Sequence, residues 1–369
     1  MKVLWFTWKD LKHPLSGGAE VVNEELAKRL IRDGNEVTLV VSGYKGCIKE
    51  ETINGYKAIR LGNRYTVYWH AWRYYRKNFK GWADLVIDEI NTVPFFAKFY
   101  AKEPNILFVH QLARQIWFYQ SIFPINIVGY LAEPLYLWAL RFSKVIVVSN
   151  STKNDLVKFR FNRNNVAIIP EGISILPLKS IENIKKYSEC TILSLGSMRK
   201  MKRTKDQIKA FELAKEKIPN LKMKIAGNAE GTYGQQALRM IKDSPYSSDI
   251  EYLGKVNEDQ KISLMQKSHL IMVTSVKEGW GLIVTEAASQ GTPALVYDVD
   301  GLRDSVQNNK TGLISISNTP KSLSYAMISL LSQKNTYDRI RKNAWEYSKQ
   351  FTFDKSYKVF RSILKSSVN

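Results

Sequence analysis

Residues 274–293, TSVKEGWGLIVTEAASQGTP, bring two carboxylates, two glycines and a helix start into one short segment. Glu278 and Glu286 are separated by seven residues. The first is expected in a loop at a strand end, the second about one turn inside the next helix. A carboxylate accepts hydrogen bonds from two neighbouring hydroxyls at once. Gly279 and Gly281 allow the backbone to approach a ligand closely, and the amides opening a helix receive a phosphate. Together they suit a ligand carrying a sugar, a phosphate and a ribose in a row. A second cluster follows Gly196 in SLGSMRKMKRT (194–204), where Arg199, Lys200, Lys202 and Arg203, with Lys205 one beyond Thr204, stand at a helix N-terminus. Cations beside helix amides hold a diphosphate and stabilise it as a leaving group. SGGAE at 16–20 places Gly17 and Gly18 between a first strand and a first helix, where amides can approach an anion or a sugar. His110 directly follows the apolar run ILFV, at the end of a strand. Asp298-Val299-Asp300 matches a D-x-D pattern able to bind a divalent ion. It follows a strand as a loop, while the fixed cations of the second cluster already serve a diphosphate, so no metal is expected.

Positioning these groups requires an alternation of strands and helices. VLWF (Val3–Phe6), the helix expected over Ala19–Arg32 and VTLVV (Val37–Val41) form a βαβ unit, which implies a parallel sheet covered by helices. Leu85–Ile87, Ile106–Val109, Val145–Val148 and Val166–Ile169 continue it. Residues 171–190 lack periodicity and are read as a linker. The alternation restarts with Ile192–Leu195, Thr204–Lys217 and Leu221–Ala226. It runs on through Glu251–Leu253, Glu258–Lys267, Leu270–Thr274, Leu282–Gln290 and Pro293–Tyr297. Tyr357, Phe360 and Leu364 lie at helical spacing near the end. The reading is α/β with three parts: a domain over 1–175, a second over 188–350, and a helical segment over 351–369 that could pack back on the first. Ligands in such sheets bind beyond the carboxyl ends of the strands, and a cleft between two sheets is the default site. G-x-G-x-x-G, G-x-x-x-x-G-K-[ST] and H-E-x-x-H are all absent from the sequence.

The chain has 369 residues, 55 Lys+Arg and 34 Asp+Glu, so its formal charge is 55 − 34 = +21. With 44% hydrophobic residues the composition is globular rather than disordered. Cys47 and Cys190 are too few for a disulfide framework or a four-cysteine zinc site, and a reducing compartment is expected. No cleaved signal peptide is expected from MKVLWFTWKD. Residues 64–80, RYTVYWHAWRYYRKNFK, hold five basic residues, seven aromatics and no acid. Such charge attracts anionic lipid or nucleic acid, or is simply a solvated surface. The apolar stretch from Leu112 to Phe142 contains Arg114, Pro124, Glu133, Pro134 and Arg141 and is a poor membrane span.

The chain resembles the family-four glycosyltransferases with the GT-B fold. The resemblance runs from SGGAE through VSNSTKNDL (148–156), IIPEGI (168–173) and SLGSMRKMKRT to EGWGLIVTEAASQGTP, nearly the full length. It implies two Rossmann-like domains with parallel sheets facing across a cleft. It implies a retaining, metal-independent hexosyltransferase without a cofactor, whose substrate is a UDP- or GDP-linked sugar. Lys202 would then meet the diphosphate, Glu278 the donor sugar and Glu286 the ribose. His110 would lie by the donor sugar, and Gly18 by phosphates or acceptor. Gly17, Gly196, Ser197, Arg199, Arg203 and Leu282 would join the donor site with the amides of Gly279, Trp280 and Gly281, and Val256 would lie near the base. The family usually has arginine where Ser197 stands, so Arg199 or Arg203 would have to supply that charge. Its usual Asn-Gly is Glu171-Gly172 here. The expected acceptor is a lipid-linked glycan or glycolipid in cell-surface glycan or protein N-glycan assembly. The expected place is the cytoplasmic face of an anionic membrane, with no nucleic-acid partner. The alternatives are a nucleotide-sugar epimerase or hydrolase of the same fold, and a basic non-enzymatic nucleic-acid-binding protein.

Overall fold

A computed structural model describes residues 1–368. Its contacts divide the chain into two units, Met1–Gly172 together with the segment from Thr352 onward, and Ile173–Phe351. The strands of unit 1 are β1 (Lys2–Phe6), β2 (Glu36–Ser42), β3 (Glu50–Ile53), β4 (Tyr56–Leu61), β5 (Leu85–Ile90), β6 (Asn105–Val109), β7 (Lys144–Val147) and β8 (Val166–Ile168). They form one sheet in the order β3-β4-β2-β1-β5-β6-β7-β8, parallel except for β3. Its helices are α1 (Gly18–Arg32), α2 (Val67–Asn78), α3 (Trp117–Gln120), α4 (Ile125–Leu140) and α5 (Asn150–Lys158). Unit 2 holds β9 (Thr191–Leu195), β10 (Lys222–Ala226), β11 (Ile250–Gly254), β12 (Leu270–Val273), β13 (Ala294–Val296) and β14 (Gly312–Ile314), all parallel in the order β11-β10-β9-β12-β13-β14. Around them run α6 (Thr204–Lys215), α7 (Gly231–Lys242), α8 (Glu258–Lys267), α9 (Leu282–Ser289), α10 (Leu302–Ser305), α11 (Pro320–Leu331) and α12 (Lys334–Ser348). The last helix, α13 (Phe353–Val368), belongs to unit 1.

Central strands such as β1, β6, β12 and β13 are nearly continuous apolar runs because both of their faces are covered. Val3, Leu4, Trp5 and Phe6 are all fully buried. Phe360 of α13 packs on the rings of Trp5 and Phe108, at centroid distances of 5.8 and 6.2 Å. Arg29–Asp354 (2.9 Å) and Tyr357–Asp33 (2.7 Å) fasten the same helix to α1 and its end. Residues 173–190, expected as part of a linker, are tied into unit 2. Ile175 and Ile181 are buried, and Lys186 Nζ donates to the Ser268 and Gly291 carbonyls and to Thr292 Oγ1, at 2.7, 2.8 and 2.7 Å. Side chains bonding to carbonyls hold this segment, so it has order without periodicity.

Each sheet reverses its winding once. In unit 1 the reversal lies between β1 and β5, and in unit 2 between β9 and β12. The crevice outside the carboxyl ends at such a point is where doubly wound sheets bind ligands. The segment after β9 carries Gly196–Arg203, and the segment after β12 carries Glu278–Gly281.

Candidate active site

The two segments of unit 2 meet through their charges. Lys202 ends a 3₁₀ turn over Lys200–Lys202, and its Nζ donates to Glu278 Oε1. Ser275 Oγ donates to the same oxygen at 2.5 Å. Burial works to raise the Glu278 pKa, but the Lys202 ammonium, the hydrogen bonds from Lys202 and Ser275 and the charge of Arg199 outweigh it, so the carboxyl stays below its usual range. Arg199 is thus the arginine whose field reaches Glu278. The Arg203 guanidinium lies 5.8 Å from the centre of the Tyr297 ring. Ser197 and Gly196 lie between β9 and this turn. Gly196 has φ +126 and open space where a Cβ would stand, so the backbone there is bare to a ligand.

The loop bearing Glu278 is shaped by two glycines in left-handed conformation. Gly281, at φ +89, caps α9. Gly301, at φ +80, lies so close that a Cβ would stand 2.3 Å from the Glu278 carbonyl oxygen. The Glu278 amide donates to the Asp300 carbonyl at 3.1 Å. The Trp280 indole is turned inward, donating to Thr285 Oγ1 at 2.9 Å and packing on Phe351 at 5.0 Å. Trp280 therefore offers a backbone amide, and its ring is part of the core.

Glu286 lies in α9, nearly buried, and pairs with Lys261 Nζ of α8 at 2.9 Å. Burial raises its pKa, and Lys261 offsets part of that rise. Lys261 carries no local pattern that would reveal it in the sequence; the helix pairing brings it in. Leu282 and Val256 are half-buried, Val256 packing on the cluster that contains Val284 and Ala287. Gly254, at φ +66, also faces open space. Asp298 and Asp300 are paired with Arg303 at 2.6 and 3.0 Å, and Asp300 with Lys277 at 3.1 Å. Among the described residues no cluster of three or more metal-ligating side chains occurs.

Unit 1 gathers its own polar group beside its reversal point. His110, just past β6, has Nδ1 3.4 Å from Glu171 Oε1 and Nε2 3.7 Å from Glu89 Oε1. Burial pulls the imidazole pKa down, but Glu171, Glu89 and Glu20 raise it further, so the net shift is upward. Glu89 is fully buried, accepts from Trp5 Nε1 (3.0 Å), Asn23 Nδ2 (2.7 Å) and Asn91 Nδ2 (2.8 Å), and is itself raised by desolvation. Glu171, the residue standing where Asn is expected, is thereby a partner of His110. Gly17 precedes α1 and Gly18 opens it. The Gly17 amide already donates to Glu20 Oε2 at 2.6 Å, and Lys9 lies 3.3 Å from the other oxygen. Glu89, Glu20 and Lys261 are the site residues that sequence reasoning missed.

Residues 16–175 match the family described as Glycosyltransferase Family 4, and residues 179–347 match Glycosyl transferases group 1. N-acetyl-alpha-D-glucosaminyl L-malate synthase of Bacillus anthracis is 23% identical over 392 residues, covering 95% of this chain and 94% of that protein. Poly(glycerol-phosphate) alpha-glucosyltransferase of Bacillus subtilis (strain 168) is 29% identical over 169 residues, or 46% of this chain. That match spans only 24% of the relative's length. The solved structure of Anabaena Alr3699/HepE in complex with UDP-glucose superposes with a TM-score of 0.74 at 17% identity, covering 99% of this chain and 100% of that one. At this identity the likeness establishes a common fold.

Proposed function

The chain belongs to the family-four glycosyltransferases with the GT-B fold, and on that premise we propose that it moves a hexose from a nucleoside diphosphate to a hydroxyl of a lipid-linked glycan or glycolipid, with retention and without a metal. The observation that carries the donor half is the Lys202–Glu278 pair at the sheet reversal, in the loop before the helix that carries buried Glu286 about one turn in. Lys202 and Arg199 answer the diphosphate charge, which removes the need for a divalent ion there. Glu278 accepts from hydroxyls of the sugar, Glu286 from the two ribose hydroxyls, and the amides of Gly279–Gly281 face sugar and phosphate. The acceptor oxygen attacks the anomeric carbon on the face that the diphosphate leaves. The carbon–oxygen bond to the diphosphate breaks, and a departing phosphate oxygen takes the acceptor's proton. A neighbour bound to UDP-glucose supports testing a uridine donor first.

The membrane half rests on α4. Val128, Leu131, Leu135, Trp138 and Phe142 recur at helical spacing along and just past this helix, and all are exposed, Leu135 by 71%. Gly129, Glu133, Tyr136, Leu137 and Leu140 form its buried face. Glu133 is the only acid between residues 104 and 154, and it is buried, accepting from the Ala113 and Arg114 amides. Arg141 lies over the rings of Trp138 and Phe142 at 4.1 and 4.2 Å. An apolar face with a cationic edge and no exposed carboxylate suits the anionic interface of a bilayer. Among the described residues no helix is long and apolar enough to cross a membrane, so the contact proposed is peripheral, on the cytoplasmic face.

The test is product analysis with UDP- and GDP-hexoses and a membrane lipid extract as acceptor source. Transfer with the donor's anomeric configuration, read from the proton coupling of the new linkage, is expected. Release of free sugar alone would replace the transferase by a hydrolase, and an isomerised donor would replace it by an epimerase.

A further inference from the structure

Unit 1 carries a second cationic feature that the donor chemistry leaves unused. After β2 the chain turns at Tyr44–Cys47, where the Cys47 amide donates to the Tyr44 carbonyl (3.1 Å) and the Tyr44 amide to Cys47 Sγ (3.3 Å). β4 ends beside it, the Gly43 amide donating to the Leu61 carbonyl at 3.2 Å. Between these two carboxyl ends lies an open cavity of about 600 Å³. Lys45, Lys49, Arg60 and His70 line it together with Tyr44 and Asn63, and no carboxylate does.

The local charges do not cancel. Arg60 is buried and already answered by Asp10 (2.7 Å) and Glu51 (2.9 Å). It therefore adds no net charge, and its Nη2 is buried without a hydrogen-bond partner among the described residues. Lys45 and Lys49 are exposed and hold no ion pair among the described residues. The nearest carboxylates are engaged by other cations and hydroxyls, although the charge of Lys49 also acts on Glu50. Glu50 is taken by Lys57 and Tyr74, both at 2.8 Å, and Glu51 by Arg60 and Lys12. Two unpaired ammonium groups, with His70, Tyr44 and Asn63, around a concave surface make a receptor for a compact, multiply charged oxyanion. Sugar hydroxyls alone would leave this charge unanswered.

We propose that this cavity binds a phosphate group of the acceptor, so that the acceptor is a phosphorylated molecule. The assignment of the ligand as an acceptor rests on the transferase reading above; the anion site itself does not. The phosphate belongs either to a soluble sugar phosphate or to a lipid phosphate.

The experiment uses the full chain with Lys202→Ala and Arg199→Ala, which removes both cations proposed to meet the diphosphate in unit 2. Calorimetric titration with inorganic pyrophosphate is compared between this protein and the same protein with Lys45→Ala and Lys49→Ala added. Losing two charge-assisted contacts weakens binding by about tenfold or more. Lys77→Ala with Lys80→Ala removes the same charge from the end of α2 and leaves the affinity unchanged. Pyrophosphate binding that survives the cavity substitutions, or falls equally in the α2 control, overturns the proposal. The source is read in two further arms. Loss of glucose 6-phosphate binding assigns a soluble acceptor, and loss of flotation with phosphatidic-acid vesicles assigns a lipid one. A chain whose melting responds to UDP, GDP or ADP, with pyrophosphate binding indifferent to Lys45 and Lys49, loses the cavity alone. A chain that responds to none of the three, with cavity-dependent binding intact, loses the transferase reading alone.

Discussion

Lys202 and Glu278 neutralise one another while no donor is present, and each is suited to a different part of that donor. Lys202→Ala is expected to lower kcat by about 100- to 1,000-fold, the usual cost of removing one stabilising group from a developing charge. It also strands a largely buried carboxylate, so a folding defect has to be separated from the catalytic one. Adding Glu278→Gln restores the melting temperature without restoring turnover; recovery of turnover in the double variant would show the lysine acting only through the glutamate. His110 supports a prediction in pH. The groups facing it are Glu89, Glu171 and Glu20, and its folded pKa is raised. A raised histidine contributes stability that is full below its unfolded value of 6.5 and is lost as pH rises through the folded value. Glu89, also raised, acts in the same direction. Glu171→Gln removes the nearest carboxylate, so the His110 titration followed by NMR moves down and the loss of stability with rising pH starts earlier. An unmoved titration would mean that Glu171 does not hold the proton there. The Glu278–Glu286 spacing was legible in the sequence because one loop and one helix carry both. Glu89 and Lys261 were not, because a different strand or helix brings each to its partner, and the charge of Glu20 reaches His110 only through the fold.

Among the elements, the loop that presents Glu278 depends on a neighbour twenty-three positions further along the chain as well as on its own residues. Gly301 leaves no room for a methyl group against the Glu278 carbonyl, and its φ of +80 disfavours any other residue. Gly301→Ala is expected to lower kcat/KM sharply while nucleotide binding through Glu286 persists; equal loss of both, with a large fall in melting temperature, would mark a folding defect instead. The α4 face gives the membrane prediction. Leu131→Gln with Leu135→Gln lies on exposed positions, 63% and 71%, so each change should alter stability by no more than about 0.5 kcal/mol. Flotation with anionic vesicles should nevertheless fall, and unchanged flotation would remove α4 from the membrane reading. The sequence showed this segment as apolar without showing which face stays open, since Leu stands on both sides of the helix. β3 and β4 escaped periodicity because Lys57 and the buried Arg60 interrupt the apolar run of β4. The strands flanking the two reversal points were legible because they are short, apolar on both faces and followed by polar loops.

At the scale of the molecule, the chain is two units with separate cores, and the groups proposed to hold the nucleotide all lie in the second. Ile192, Phe211, Met272 and Leu295 belong to one buried cluster there, while Leu4, Phe6, Ile59 and Val86 belong to another in unit 1. Domains with their own cores need not unfold together, and a single unfolding free energy is then undefined. Ligand binding, by contrast, stabilises only what must stay folded to bind. A nucleotide at 100 times its dissociation constant contributes about 2.7 kcal/mol. If UDP is the donor nucleotide, amide exchange should slow by roughly a hundredfold, the equivalent of that energy. The slowing should be confined to globally opening amides of β9–β13 and α9. β1, β5 and β6 should exchange at their former rates. Mass spectrometry of peptic fragments from the full chain resolves the two units in one measurement. Equal slowing in unit 1 would mean that UDP bridges the units or that they unfold as one, and the donor site could then no longer be assigned to the groups of unit 2 alone. Slowing in neither, repeated with GDP and ADP, would leave the Lys202–Glu278 pair as an ion pair without a nucleotide to serve.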